Sequence, residues 1–540
     1  MARSAAGSRT ETGSAAADQR RLVAALAREL ERAHGAVTTL ETHISHVLIA
    51  GDCAYKIKKA LRLPFVDYST LARRRRFCGE ELRLNRRLAP QLYRDVVAIT
   101  GTPDAPSLGG EGRAIEYAVR MRAFAQDALL SECLARGELA PSRIDEFARE
   151  VAAFHAGLPP ASPRSRHGTP AQALADALAN FDAIAPLAEA KQRGVVARLR
   201  DWTIAEFARC EAAMARRRRD GRVRECHGDL HLRNVALVDG RVTVFDGIEF
   251  SPRLRWIDVA GEAAFAAMDL AARGRDDYAW RFLNAWLEDT GDYGSVAVLR
   301  FHLVYRAMVR AKVRYLRAAQ AGAADCAKAR AEAEDYVALA GSLAGAVAPA
   351  LVVMHGPSGT GKTTLSQRLL EKLPAVRIRT DVERKRLHGY APDAATGSAV
   401  DSAIYAADAT RRTYDQLAAH AQTIAAAGYT ALLDGTFLRR WQRDRMREPA
   451  ARLGVPFVIV AVEVPEAILR RRVAARASEG RDASEATVEV LERQLAQREP
   501  LAADERPHAV VLDGTLPPDD PSFAAMLDAV AAARAKSAPP

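Results

Sequence analysis

The sequence predicts two domains, an α+β bilobal unit followed by an α/β unit with a P-loop and a mostly parallel sheet. Three observations predict them. The 540 residues exceed what one hydrophobic core holds. The run His227-Gly228-Asp229-Leu230-His231-Leu232-Arg233-Asn234 is followed by Asp246 at the end of a strand-like segment, a spacing that suits proton abstraction beside metal-binding oxygens. Further on, Gly356-Pro357-Ser358-Gly359-Thr360-Gly361-Lys362-Thr363-Thr364 is a complete P-loop between a strand and a helix. The expected boundaries are a disordered tail over 1–20, a first domain over 21–337, a linker over 338–347 and a second domain over 348–540.

Composition narrows the partners. There are 78 basic against 67 acidic residues, a formal charge of +11, which suits anionic ligands, although much of the excess reads as solvated arginine-rich surface. Aromatic content is only 6%, which weakens a single-strand stacking channel and disfavours nucleic acid. Six scattered cysteines without a C-x-x-C pair indicate neither a zinc cage nor a disulfide framework, and a reducing cytoplasm is expected. The first 20 residues lack the apolar core of a signal peptide. The uncharged stretch from Tyr336 to Met354 contains Gly341, Gly345 and Pro349 and reads as helix, linker and buried strand, with no membrane role.

In the amino-terminal unit, Cys53 to Lys58 alternates as a strand, which puts Lys56 and Lys58 on one face. A helix over Leu71–Leu88 follows, then strands over Asp95–Thr100 and Arg113–Met121. Helical sequence runs from Ala128 to about Met214. The segment Arg222–Cys226 delivers the loop, and a hairpin around Asp239-Gly240 leads to Val242–Asp246. Asp229 can accept a hydroxyl proton, and Asn234 with Asp246 can hold Mg²⁺ against ATP phosphates.

The H-G-D-x-x-x-x-N run resembles the catalytic loop of the protein-kinase-like fold. With Asp246-Gly247-Ile248-Glu249 behind it, the stretch from about Leu22 to Val337 resembles the aminoglycoside phosphotransferase and choline kinase branch. That resemblance implies that Asp229 is the catalytic base and that Asn234 and Asp246 are metal ligands. It further implies that Lys56 or Lys58 holds the ATP phosphates, oriented by Glu81 in preference to Glu80, and that the backbone of Glu116-Tyr117-Ala118-Val119 meets adenine. Asp258 is expected to brace the loop. One departure is that Glu41-Thr42-His43-Ile44-Ser45-His46 stands where a glycine-rich loop belongs, so phosphate grip there falls to the Thr42 or Ser45 hydroxyls and backbone amides, or is weak. Tyr305, Arg306, Arg310 and Arg314 recur at helical spacing, as a solvated face or an acceptor wall.

In the carboxy-terminal unit, Ala350–Met354 is a strand, and Thr364–Leu373 is a helix stopped by Pro374. The loop amides cradle phosphates, Lys362 reaches the β- and γ-phosphates, and the Thr363 hydroxyl ligates Mg²⁺. A second strand over Val376–Arg379 ends at Asp381 and Arg384. Another, Tyr429–Leu433, ends at Asp434, a Walker B carboxylate, with Thr436 and Arg439 facing the acceptor. A further strand covers Val455–Val462. Arg472 and Arg476 lie four apart on a helix before the lid-like Ser478–Asp482. From about Ala348 to Asp513 the chain resembles small P-loop kinases of the gluconate kinase and polynucleotide kinase group, including predicted kinases with an AAA-type label. The resemblance implies that Asp381 is the acceptor's base and Arg384 its anchor, with Arg472 and Arg476 offsetting charge in transfer.

The expectation is a bifunctional ATP- and Mg²⁺-dependent phosphotransferase acting on small-molecule hydroxyl acceptors, with no obligate protein partner. Two alternatives stand beside it. One makes the amino-terminal unit a nucleotide sensor for the other; the second makes the chain a nucleic-acid 5′-hydroxyl kinase.

Overall fold

The computed structural model describes residues 4–63, 65–319, 322–345, 348–392, 394, 407–479, 487–517 and 520–535. Two compact units make it up. One comprises Met1–Arg143, Ala153–Thr169 and Arg218–Glu262, the other Ile144–Ala152, Pro170–Arg217 and Ala263–Pro540.

Alanine-rich sequence favours helix, and helix α1 (Ser4–His34) occupies most of the stretch expected as a structureless tail. Gln19 ties it down. Its amide donates to the Lys58 carbonyl (2.8 Å) and to Glu116 (2.7 Å), and its oxygen accepts the Ala60 N–H (2.7 Å). Leu22, Leu26 and Leu30, four apart on one helix face, enter the core beside Leu48 and Ile57.

The alternating segments that follow form β1 (Val37–Glu41), β2 (Ser45–Ala50) and β3 (Cys53–Lys58). A short pair, β4 (Arg62–Leu63) and β5 (Val66–Asp67), leads to α2 (Leu71–Asn85), capped by the Thr70 hydroxyl. Then come β6 (Tyr93–Thr102), β7 (Ala105–Leu108) and β8 (Glu116–Arg122), giving an antiparallel sheet in the order β1-β2-β3-β8-β6-β7.

The expected helical run is α3 (Leu130–Ala135), α4 (Pro141–Gly157), α5 (Pro170–Ile184) and α6 (Ala190–Arg219). Strand β9 (Val223–Glu225) delivers the loop. The predicted hairpin is β10 (Val235–Val238) and β11 (Arg241–Val244), and its turn residues Asp239 and Gly240 both have positive φ, 51° and 75°. Past α7 (Pro252–Arg255), β12 (Trp256–Asp258) pairs with β9. The helices α8 (Val259–Ala272), α9 (Asp276–Thr290), α10 (Val296–Ala318) and α11 (Ala323–Ala344) follow, and α11 takes in most of the expected linker.

Helix α10 corrects one expectation. Arg306 is buried with its guanidinium 4.8 Å from the Phe265 ring, Arg310 lies 5.8 Å from the Tyr336 ring, and Arg314 pairs with Glu332 at 2.9 Å. Packing between helices takes up these arginines, and they do not form a solvated face.

The last part alternates strand and helix: β13 (Leu351–His355), α12 (Lys362–Lys372), β14 (Ala375–Arg379), α13 (Thr380–Leu387), α14 (Ala407–Ala426), β15 (Thr430–Asp434), α15 (Arg440–Leu453) and β16 (Phe457–Glu463). It closes with α16 (Glu466–Glu479), α17 (Val488–Ala496), β17 (Ala509–Asp513) and α18 (Pro521–Ala535). The five strands are all parallel in the order β14-β15-β13-β16-β17. Helical crossovers enforce that arrangement and bury the central strand β13 completely. Among the described residues no helix is long and apolar enough to cross a membrane.

Candidate active sites

Alternation along β3 sends Lys56 and Lys58 to one face, where both meet Glu81 of α2, at 2.8 Å on Oε1 and 2.7 Å on Oε2. Their surroundings differ. Lys56 is 12% exposed and its ammonium also contacts Asp246, whereas Lys58 is fully enclosed and contacts Glu249 under the Tyr68 ring. Tyr68 donates its hydroxyl to Glu249 as well. Lys56 is therefore the lysine that opens toward the metal-type carboxylate, and Lys58 is an internal brace. Burial pushes the Glu81 carboxyl up, but the two ammonium groups prevail and bring it down to about 2. Burial likewise works against charged Lys56, yet Asp246 and Glu81 hold its pKa well above the ordinary value. Glu80 points away to Arg83 and Arg255, at 2.7 Å each.

The catalytic-type loop is braced from behind. Gly228 has φ of 89°, and a Cβ there would lie 3.0 Å from the Leu254 carbonyl, so the glycine after His227 is required by conformation and by space. Its N–H donates to Glu262 (2.7 Å), which His155 also engages (2.9 Å). Asp258 accepts the Ala260 N–H (2.9 Å) at the start of α8. Asn234 donates to the Asp229 carbonyl (3.0 Å) and approaches its carboxylate (3.4 Å), and the Asp229 side chain keeps 36% exposure. Asp246 adopts φ of 65°, a costly conformation for a residue with a side chain. It is held there by the Tyr93 hydroxyl on its N–H (3.1 Å) and by Asn85 on the Gly247 N–H (2.7 Å).

Two expectations about nucleotide contact are corrected. Glu116–Val119 lie inside the sheet, paired with Ile99–Val96 of β6 and, over Ala118–Val119, with Ile57–Lys56 of β3, so the ladder flanks Ala118 and Val119 on both sides, while the Tyr117 N–H is taken by the Glu116 carboxylate (3.1 Å). The Glu116 side chain is buried against Arg74 (2.8 Å) and Gln19. The chain leaves this sheet only after Arg122, where Phe124 packs on Phe245 next to Asp246. Thr42, offered as a phosphate donor, closes its own turn by accepting the Ser45 N–H (2.9 Å) and donating to the Ser45 carbonyl (3.1 Å). Ser45 is buried.

The second site forms where β13 runs into the P-loop. Gly356 (φ 143°) could not carry a Cβ, which would sit 2.7 Å from the Val462 carbonyl. Lys362 opens α12 and is folded onto the Pro357 carbonyl (2.7 Å) and the Thr360 hydroxyl (3.3 Å). Gln494 accepts the Ser358 N–H (2.8 Å). A cleft of ≈ 950 Å³ is lined by residues 358–365 together with Asp381, Arg384, Asp434, Thr436, Arg439 and Arg472. The structure thus gathers the residues singled out from sequence, apart from Gly356, Pro357 and Arg476, into one concavity.

Asp434 ends β15 and is 5% exposed. Ser366 donates to its Oδ2 (3.1 Å) and to the Thr363 carbonyl (3.0 Å), which joins the two metal-type residues. Asp381 and Arg384 sit in the first turns of α13, and Arg384 donates to Thr410 (3.1 Å). Arg472 donates to the carbonyls of Gly514 (2.9 Å) and Gly359 (3.3 Å), which places its charge against the loop. The Arg476 side chain and most of the lid-like segment lie outside the described residues.

Glu249, Tyr68, Glu262 and Arg379 are site neighbours that sequence reasoning missed or passed over. Only Arg379 carried a usable signal, its place at the end of a strand leading into the cleft.

A model of the phosphotransferase enzyme family matches residues 67–299, and a model of an AAA domain matches residues 351–501. An uncharacterized protein of Mycobacterium tuberculosis is 30% identical over 453 residues, covering 82% of this chain and 87% of that protein, and an uncharacterized protein of Mycobacterium bovis matches to the same extent. Among solved structures, an ethanolamine kinase of Plasmodium vivax aligns over 56% of this chain and 81% of its own, at 9% identity and a TM-score of 0.37. A sugar kinase of Janibacter aligns over 35% of this chain and 99% of its own, at 21% identity and a TM-score of 0.27.

Proposed function

The chain belongs to the family of these mycobacterial proteins, joins a phosphotransferase-family domain to an AAA-type P-loop domain and is a kinase; we propose that it is bifunctional. Each domain, over 21–337 and 348–540, transfers the γ-phosphoryl group of ATP to a hydroxyl of its own small-molecule acceptor.

The observation that carries this reading is Lys56 gripped between Glu81 and Asp246, with Asp229 half-buried and hydrogen-bonded to Asn234. In the amino-terminal domain Lys56 holds the α- and β-phosphates. Asp229 takes the acceptor's hydroxyl proton as that oxygen bonds to the γ-phosphorus and the bond to the bridging oxygen breaks, releasing ADP. In the carboxy-terminal domain the loop amides and Lys362 hold the phosphates. Asp381 takes the acceptor's proton there, and Arg384 anchors an anionic group on the acceptor. Asn234 with Asp246, and Thr363 with Asp434, offer the hard oxygen donors Mg²⁺ prefers and would hold it where it draws charge from the phosphate oxygens.

The test is a screen of hydroxyl acceptors with ATP and Mg²⁺ on the full-length protein, its Asp229→Asn variant and its Asp381→Asn variant. Each substitution is expected to abolish transfer to one acceptor class while leaving ATP affinity within about twofold and the other transfer intact. A substitution that removes both transfers, or neither, overturns the assignment.

A second reading makes the amino-terminal domain a nucleotide sensor. It is favoured by the Thr42 hydroxyl being used up in its own turn where a glycine-rich loop is missing. ATP binding there without turnover of any acceptor would support it.

A further inference from the structure

We propose that Glu288, on α9, is a positioning residue for the P-loop site: it holds Arg379 back from Asp434 and so sets how readily Mg²⁺ binds there. The inference rests on the reading of that cleft as a Mg·ATP site. Helix α9 lies in the stretch matched by the phosphotransferase model and outside the AAA match.

Strand β14 is the edge of its sheet, and an edge strand leaves alternate N–H and C=O groups unpaired on its outer side. Asn284 of α9 meets two of them, donating to the Ala375 carbonyl (3.0 Å) and accepting the Arg377 N–H (2.7 Å), as one rung of a neighbouring strand would. One helical turn on, Glu288 lies on the same face of α9.

Arg377 and Arg379 project to one side of β14, as residues two apart on a strand do. Glu288 engages both, with Oε1 at 3.1 Å from Arg379 and Oε2 at 3.4 Å from Arg377. Both arginines also reach toward the metal-type carboxylate. Arg379 Nε is 4.0 Å from Asp434 Oδ2, and Arg377 is 3.4 Å from the Ser366 hydroxyl that donates to the same oxygen. All four charged side chains are less than 18% exposed, so water screens them little.

An oxygen that must bind a dication is weakened by a guanidinium within 4 Å, since both draw on the same negative charge. With Glu288 present, Arg379 has an anion closer than Asp434. Without it, the Arg379 guanidinium is left within reach of Asp434, whose Oδ2 already lies 4.0 Å from its Nε.

The experiment uses the full-length protein carrying Lys56→Ala, so that ATP binding reports the P-loop site, and titrates that binding with Mg²⁺. Adding Glu288→Gln is expected to raise the Mg²⁺ needed for half-maximal ATP binding by roughly fivefold or more, and Glu288→Asp to raise it less. Adding Arg379→Met to Glu288→Gln is expected to bring the requirement back near the parent value, a rescue that lost packing could not produce. An unmoved Mg²⁺ curve, or a shift that Arg379→Met leaves in place, overturns the coupling while the site reading stands. A parent that binds no ATP at any Mg²⁺ concentration overturns both.

Discussion

Lys56 and Lys58 are the same side chain two residues apart, yet burial gives them different work. Lys58 is fully enclosed between Glu81 and Glu249. Replacing it by alanine leaves the buried Glu249 carboxylate without its ammonium partner and Glu81 with Lys56 alone, a loss of about 3–5 kcal/mol, to be read as a lowered urea midpoint. Lys56→Ala is expected instead to weaken ATP binding at the amino-terminal site about tenfold or more, with a smaller effect on the midpoint. Equal stability losses for the two variants would contradict the division of roles. Glu81, preferred over Glu80 from its place two helical turns before Leu88, is the residue that meets both lysines. The contacts of Glu249 were not readable from sequence, because its partners Tyr68 and Lys58 lie 181 and 191 residues away and no local pattern connects them. Glu116 was misread as part of a hinge since sequence does not tell which end of a strand is free of its neighbours.

At the scale of elements, β13 carries a pH-sensitive residue into the P-loop. His355 is buried with its Nδ1 3.1 Å from the Phe437 carbonyl, and burial brings its pKa down from 6.5 to about 4. The folded state keeps it neutral while the unfolded chain binds a proton near the ordinary value. Its contribution is therefore complete above about pH 6.5 and is lost as pH falls toward 4, by up to about 3 kcal/mol. Urea unfolding at pH 7, 5.5 and 4.5 is expected to show a shallower acid loss for His355→Asn than for the parent, and parallel pH slopes would contradict this. Asn284→Ala removes both side-chain bonds to the edge of β14 and is expected to cost about 2 kcal/mol by the same measurement; a midpoint unchanged from the parent would show those two bonds idle. The strand–loop–helix of the P-loop and the turn at Asp239-Gly240 were legible because glycines and apolar periodicity mark them locally. Helix α1 was not, since its anchor is one glutamine among alanines, and only the fold supplies Lys58, Ala60 and Glu116 as its partners.

For the whole molecule, the two proposed nucleotide sites share no residue, and two nucleotides per chain are expected. Calorimetric titration of Lys362→Ala is expected to lose one site and keep the other, and loss of both would contradict independent binding. The two-fold count of catalytic motifs was legible in the sequence, but the packing was not. Residues from Ala263 onward share one compact unit with the parallel sheet, and Trp280 of α9 packs against that sheet's core among Leu369, Leu370 and Leu373. An amphipathic helix shows which face is buried and leaves open which core it joins. The seat of α9 on β14 also bears on how such a gene can evolve. A break in the reading frame between α11 and β13 would yield a carboxy-terminal product with an uncovered strand edge and no Trp280, prone to pair with its own copies. The two domains are thereby inherited as one open reading frame and made in equal numbers, with no regulatory system needed to match their dosage.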